Sequence, residues 1–517
     1  MRPMLDGGVA AACLVATALA GLRWLRVAQR EHYLPDAASR FALRWWRLSL
    51  LNVLILIGAA VGIVFCTRWP AAALVTAVAV AVGPWGLGLR GRTSPLAWTR
   101  RLRTLGAVWG ALQAAAVAVA LVEGVGPVVA AAGALAAPAL VDAACFLTAP
   151  FERRLAGRFV TKATQRLRRV APKVVAITGS YGKTSTKGYV THLLAGPMVV
   201  VASPASFNNR AGLARAVNEH LADGTDVFVA EMGTYGRGEI TELCRWIHPD
   251  VSVITAIGPV HLERFGTEEA IVEAKSEILA LAPTVVIVVD DPKLAALADR
   301  AELEGKKVWR VSTGEARGDV RVQMADGALD ITSGGLPVAM GVAVDARPGN
   351  VGCAVAVALH LGRSPEDVAE RLAGLPTAPH RLEPAQTTAG RCLVLDDTYN
   401  ANPAGVDAAL AAMVRLAPPG GRRVVVTPGM VELGRRQFEE NRRFATAAAK
   451  VATDIVVVGR TNRRALVAGA LGARSGDEER PEVVVVERRE HAVAWVRDHL
   501  GEHDVALFEN DLPDHYP

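Results

Sequence analysis

Five apolar stretches crowd the first 150 residues, at 7–25, 48–66, 71–89, 105–122 and 127–149. A helix needs about 20 such residues to cross a bilayer, so the sequence predicts about five transmembrane helices over residues 1–150. Buried helices of a soluble protein would be shorter and more charged; Gln113 and Asp142 are the main polar interruptions here. Loop charges set the orientation. Arg23, Arg26, Arg30, Arg40, Arg44 and Arg47 fall between the first two stretches, and Arg90, Arg92, Arg100, Arg101 and Arg103 between the third and fourth. The other two loops carry only Arg68 and Glu123. Arg-rich loops stay in the cytoplasm. Five spans then put everything after Pro150 in the cytoplasm, on a multi-pass protein of the plasma membrane. Residues 151–172 form a basic juxtamembrane linker with Leu155, Phe159, Ala163 and Leu167 at helical spacing. A helix lying on an anionic leaflet would look like this, and so would a solvated connector.

The net charge of +6 comes largely from Arg in the first 170 residues, which fits membrane flanks. Aromatics interleaved with Lys, as a single-strand binder needs, are not found, so no nucleic-acid partner is expected. The six cysteines are scattered at 13, 66, 145, 244, 353 and 392. That spacing excludes a disulfide framework or zinc site and fits a reducing compartment.

A second feature follows the apolar region. The run 174–177 ends in Gly179, Ser180, Tyr181, Gly182, Lys183, Thr184 and Ser185, after which helical spacing begins. Glycines let backbone N–H groups approach phosphate oxygens, and a helix N-terminus favours an anion. Lys183 would neutralise β- and γ-phosphates, and Thr184 would offer a hydroxyl to Mg²⁺. Only two residues separate the glycines, where the standard form has four. Strand-like runs at 174–177, 227–230, 251–257 and 284–289 then alternate with helical ones, a parallel α/β pattern. Residues 320–344 read as an antiparallel extension. A Pro-rich boundary near 377–379 precedes a second alternation at 392–395, 424–427, 455–458, 483–486 and 505–508, a Rossmann-like domain.

The loop 179–185 resembles the ATP loop of the Mur ligases. Further segments follow in that family's order: "FNNRAG" (207–212), "VAEMGTYGRGEI" (229–240), "PDVSVITAIGPVHLERFGT" (249–267), "EAKSEIL" (273–279), "HRLEP" (380–384), "DDTYNANPAGVDAAL" (396–410) and "PGMVELG" (428–434). The last two are most similar to the UDP-N-acetylmuramoyl-tripeptide–D-alanyl-D-alanine ligase branch. Beyond the transmembrane region over 1–150 and the linker 151–172 read from the apolar stretches and charges, the resemblance implies a central ATP-binding domain over 173–378 and a C-terminal ligase domain over 379–517.

It also implies roles. Glu231, at a strand end where ligands gather, matches a magnesium ligand, and a carboxylate suits that hard ion. His261 matches a residue that helps bind a second metal, although His and Mg²⁺ are not ideal partners. Lys275, read as opening a helix, matches a lysine that many members carbamylate. Gly179, Ser180, Gly182, Lys183, Thr184 and Ser185 would hold ATP, with Asn350 at the adenine, Arg381 reaching the phosphates on closure and Asp397 near the ribose. Cys353 stands where the family usually has a second adenine-contacting Asn. Asn208 and Asn209 would face the acyl substrate or phosphates. Tyr399, Asn400 and Asn402 would line the cleft for the amine.

The implied reaction is ADP-forming ligation of a carboxylate to an amino-acid or dipeptide amine, in peptidoglycan or envelope peptide synthesis. Soluble members carry a UDP-sugar domain before the ATP loop, and membrane stretches occupy that place here. The acceptor is therefore expected to be lipid-linked or polymeric, as in poly-γ-glutamate synthases. The acidic end "LFENDLPDHYP" reads either as a free tail or as a contact for an ammonium group. A membrane transport or signalling NTPase and a binding protein with a decayed site are the competing classes.

Overall fold

A computed structural model describes residues 2–89, 96–204, 207–325, 327–344, 346–376, 383–386, 392–398, 401–472, 480–512 and 515–516. The chain forms two compact units, residues 1–155 with 512–517, and residues 156–511.

The first unit is helical. Two helices are long and apolar enough to cross a membrane, Met4–Arg30 and Arg100–Val122. Two further candidates are broken: Ala37–Trp46 with Leu50–Cys66 bends by 111°, and Gly126–Leu135 with Ala137–Val170 by 80°. The apolar stretch 71–89 carries only the short helix Ala73–Val82 after a 3₁₀ turn. Two continuous spans, or four with the bent pairs, thus stand against the expected five. Composition registers apolar length, whereas bends arise where polar side chains bind freed backbone groups. Arg23, expected in a loop, lies inside the first helix and is buried. Its guanidinium donates to the carbonyls of Val80, Ala81, Gly83 and Leu87 at 2.7–3.2 Å, where the helix Ala73–Val82 ends. Asp142 similarly accepts from the Ala38 and Ser39 amides at 3.1 and 2.8 Å, at the start of Ala37–Trp46.

The end of the chain belongs to this unit as well. His515 is buried, its Nε2 3.0 Å from Glu31 Oε1, and its carbonyl accepts from Trp45 Nε1 at 2.8 Å. Phe41 packs edge-on against the His515 and Tyr516 rings. These residues are docked, so neither reading of the end describes them; Asp514 lies outside the described residues.

The linker 151–172 is no separate element. One helix runs Ala137–Val170 through Pro150. Its later apolar residues Val160, Ala163 and Leu167 are buried in the second unit's core with Leu213, Val217 and Leu221, so that face meets protein. Phe159 stays exposed.

The second unit holds two sheets. Strands β1 (Lys173–Thr178), β2 (Val200–Ala202), β3 (Val227–Glu231), β4 (Val251–Ile254), β5 (Thr284–Val288), β6 (Lys307–Ser312), β7 (Val320–Ala325), β8 (Ala328–Ser333) and β9 (Leu336–Val342) form a nine-stranded sheet in the order 2-3-1-4-5-6-7-8-9. Pairing is parallel from β2 to β7 and antiparallel from β7 to β9. The central strands are apolar on both faces, as strands sandwiched between helices must be; Val175, Ala176 and Ile177 are fully buried. The second sheet joins β10 (Glu383–Gln386), β11 (Leu393–Asp397), β12 (Arg423–Thr427), β13 (Asp454–Val458), β14 (Glu482–Val486) and β15 (Val505–Glu509) in the order 10-11-15-12-13-14. It is parallel except for the β10 edge.

Candidate active site

β1 ends at Thr178, and the helix Lys183–Leu194 begins after four intervening residues. Gly179 and Gly182 turn the chain with φ of +152° and +79°, a region that side chains avoid. A Cβ on Gly182 would lie 2.2 Å from Asn350 Oδ1, so the loop is seated on that buried asparagine. Ser180 pins the loop to the segment after β4: its N–H donates to Ala256 O at 2.7 Å, and its hydroxyl sits 3.0 Å from the Gly258 amide. Two lysines converge on one carbonyl, Lys183 Nζ and Lys275 Nζ both donating to Gly179 O at 2.8 and 3.1 Å. Burial, and then the Lys183 ammonium, holds Lys275 well below the ordinary lysine range. Lys275 lies in the last turn of the helix Glu268–Ser276, and does not open a helix.

Glu231 closes β3 beside β1, in register with Ile177. Its carboxylate is buried and fully engaged. Oε2 accepts from Thr184 Oγ1 at 3.1 Å and from Lys187 Nζ at 3.0 Å, and Oε1 from Asn208 Nδ2 at 3.3 Å. Burial alone would raise this carboxyl, but the Lys187 and Lys183 ammoniums and the Lys187 and Asn208 hydrogen bonds outweigh it and hold the group below its usual range. Lys187 is the site residue the sequence reading missed; it stands one helical turn after Lys183, the spacing that places both on one face.

The loop glycines, Lys183, Thr184, Lys275, Asn350, Glu231 and Asn208 are therefore brought together. Ser185 is buried beside them in the helix. Asn209 and Asn402 are differently employed. Each caps a helix, accepting from the Gly212 and Gly405 amides at 3.0 and 2.9 Å. His261, with φ of +60°, meets Glu432 through Nδ1 and the Tyr235 ring edge-on at 5.0 Å. Asp397 ends β11 in register with Glu509. Burial, then the Asp397 charge, pushes Glu509 well above the carboxylate range, so this pair binds a proton more readily than a free acid. Arg381, Tyr399 and Asn400 lie outside the described residues. Among the described residues no three His, Cys, Asp or Glu side chains form a metal cage. Mg²⁺ does not need one, since it keeps waters and substrate phosphates as ligands.

A phosphate loop at a strand end, a buried carboxylate sharing its hydroxyl, and a second α/β domain define a nucleotide-dependent ligase architecture. Comparison with known proteins agrees. The Mur ligase middle-domain model matches residues 177–345, and the Mur ligase glutamate-ligase-domain model residues 380–509. The UDP-N-acetylmuramoyl-tripeptide–D-alanyl-D-alanine ligase of Mycobacterium tuberculosis is 33% identical over 359 residues, 65% of this chain and 69% of that protein. Two solved structures bearing the MurF name also align. That from Acinetobacter baumannii gives a TM-score of 0.57 at 25% identity over 69% of this chain and 77% of its own. That from Thermotoga maritima, in complex with ADP, gives 0.57 at 25% over 69% and 80%. The chain belongs to the Mur ligase family, on its tripeptide–D-alanyl-D-alanine ligase branch, and is an ATP-dependent carbon–nitrogen ligase.

Proposed function

We propose that the protein joins a peptidoglycan-precursor carboxylate to an amino-acid or dipeptide amine on the inner face of the plasma membrane, through an acyl phosphate. The carboxylate oxygen attacks the γ-phosphorus of ATP and ADP departs. The amine nitrogen then attacks the acyl carbon, phosphate leaves and an amide remains. Lys183 and the loop amides screen the charge spread over the transferring group. Thr184 and Glu231 fit Mg²⁺, because hydroxyl and carboxylate already share one buried position; when bound, the ion would supply charge neutralisation at the phosphates. His261 is the candidate for a second metal or for orienting a phosphate. Lys275 suits carbamylation, since a lysine held neutral by burial can add to carbon dioxide. Asn350 and Asp397 are assigned to adenine and ribose, Arg381 to the phosphates, and Asn208 to the acyl group. Tyr399 and Asn400 are assigned to the amine, with Asn402 shaping that loop as its helix cap.

The apolar helices of the first unit support membrane anchoring, and the Arg-rich segments favour catalysis on the cytoplasmic side. An anchored enzyme has reason to take an acceptor that is itself lipid-linked or polymeric. The observation that carries the reading is the Glu231 carboxylate held beside Thr184 at the phosphate loop. Detergent-solubilised protein should form ADP and a new amide, seen by mass spectrometry, with UDP-N-acetylmuramoyl tripeptide or its lipid-linked form and D-alanyl-D-alanine. Lys183→Ala should abolish both products, and turnover without an amine would refute ligation in favour of a transport ATPase.

A further inference from the structure

The two α/β domains of the second unit meet at a cluster around His261, whose other members carry none of the roles above. Glu432, in the loop after β12, has φ of +64° and faces the segment 258–266 after β4, which includes the one-turn helix Leu262–Phe265. Its carbonyl accepts from the Glu263 amide at 3.0 Å. Its carboxylate meets His261 Nδ1 with one oxygen and Arg264 Nη2 with the other, at 3.3 Å. The Arg264 guanidinium lies 4.7 Å over the Tyr235 ring, whose edge meets His261. Two residues on, Gly434 lets the backbones approach: a Cβ there would stand 3.3 Å from the Glu263 nitrogen. Arg436 adds an ion pair to Glu268 at 2.5 Å. His261 and Glu432 both occupy the left-handed region, which side chains disfavour, so each conformation persists only because surrounding contacts hold it.

A carboxylate on Nδ1 fixes the histidine tautomer, since the Nδ1–H donates and Nε2 keeps its lone pair. The same loop is tied on its other side to the phosphate loop through Ser180 and Gly258. We propose that Glu432 is a positioning residue and closure latch: docking of the C-terminal domain orients His261 as an Nε2 ligand next to the phosphate loop. The site is then complete only when the domains are together, so the acyl phosphate forms where water is excluded. This rests on the nucleotide-site reading above, and the control below separates the two.

The test uses full-length protein in detergent with Mn²⁺ and a non-hydrolysable ATP analogue. Bound Mn²⁺ is read by electron paramagnetic resonance. The domain distance is read between spin labels at the exposed Leu303→Cys and Leu471→Cys, the six native cysteines being buried. Outer-shell partners of this kind change metal affinity about 10–100-fold. Glu432→Ala is expected to weaken Mn²⁺ binding by that factor and to broaden the label distance. Glu432→Gln, which keeps the shape if the alanine variant folds poorly, should weaken it at least several-fold. Glu432→Asp should recover part of the loss. His261→Gln should reproduce the Mn²⁺ loss while leaving the distance narrow, because the Glu263 and Arg264 contacts survive. Lys183→Ala is the control for the nucleotide site, and if it binds Mn²⁺ and the analogue like wild type, the site reading itself fails. If Lys183→Ala loses binding while Glu432→Ala and Glu432→Gln keep wild-type affinity and distance, the latch is overturned.

Discussion

Replacing Lys187 by methionine tests the electrostatics of the site without touching the phosphate loop. The Lys187 and Glu231 side chains are 8% and 5% exposed, with Nζ 3.0 Å from Oε2. At an effective dielectric of about 20 that separation corresponds to about 5.5 kcal/mol of attraction. Removing one member of a buried pair typically costs about 3–5 kcal/mol, because the other charge is left buried. Thr184 and Asn208 still donate to Glu231, and methionine keeps much of the lysine stem's volume, so the low end, about 3 kcal/mol, is expected. Hydrogen exchange at β1, β3 and the helix Lys183–Leu194 reads that loss locally, as roughly 100-fold faster exchange. The pH dependence has a definite sign. Glu231 is held below its ordinary value of 4.5, so in the wild type it stabilises the fold above pH 4.5, and that contribution is lost as pH falls through the lowered value. Without Lys187 burial dominates and the carboxyl moves upward. The deficit of Lys187→Met is therefore largest at neutral pH, begins to shrink as pH falls through the variant's raised value above 4.5, and shrinks further below 4.5 as the wild-type carboxylate is protonated. Lys187→Met/Glu231→Gln should recover much of the protection. A double variant as unprotected as the single one, or a deficit independent of pH, would refute the reasoning.

Lys275→Met should raise the melting temperature at neutral pH while abolishing ligation. A buried lysine held below 10.5 penalises folding increasingly as pH falls from that value, so the gain should narrow towards pH 10.5 in differential scanning calorimetry. Asn208→Ala and Asn209→Ala should separate chemistry from capping. The first should lower kcat without a large stability change, whereas the second should cost about 1 kcal/mol as a lost helix cap, read by thermal melts and initial rates. Deleting residues 512–517 should destabilise the first unit, since His515 and Tyr516 cover Phe41 and His515 pairs with Glu31. Faster exchange in the helices Met4–Arg30 and Ala37–Trp46 would show it, and unchanged exchange would count against that docking.

The sequence carried the phosphate loop and most strands because their signals are local: glycines at a turn, apolar runs of four to six residues, and a basic helix after them. Glu231 was legible for the same reason, as a carboxylate ending such a run. Lys187 and Glu432 were not, since their partners lie 44 and 171 residues away; a parallel crossover brings Lys187 to Glu231, and the meeting of the two sheets' domains brings Glu432 to His261. Asn209 and Asn402 show the opposite case. An asparagine three residues before a glycine at a helix start is a capping signal, and that local role lay under the family pattern. In the first unit apolar length was visible, but the bends of 111° and 80° follow from side chains such as Asp142, which meets residues 103 and 104 positions earlier. The linker's apolar face was visible too, although its partners Leu213, Val217 and Leu221 could not be named from spacing.

Acid activation can be followed by an isotope. The acceptor carboxylate, UDP-linked or lipid-linked, is labelled with ¹⁸O and incubated with ATP, D-alanyl-D-alanine and membranes containing the full-length protein. An acyl phosphate requires one carboxylate oxygen to leave on phosphate, so each phosphate released should carry one ¹⁸O atom, in step with amide formed, and none should appear with Lys183→Ala. Unlabelled phosphate, released whether or not the amine is present, would contradict the account.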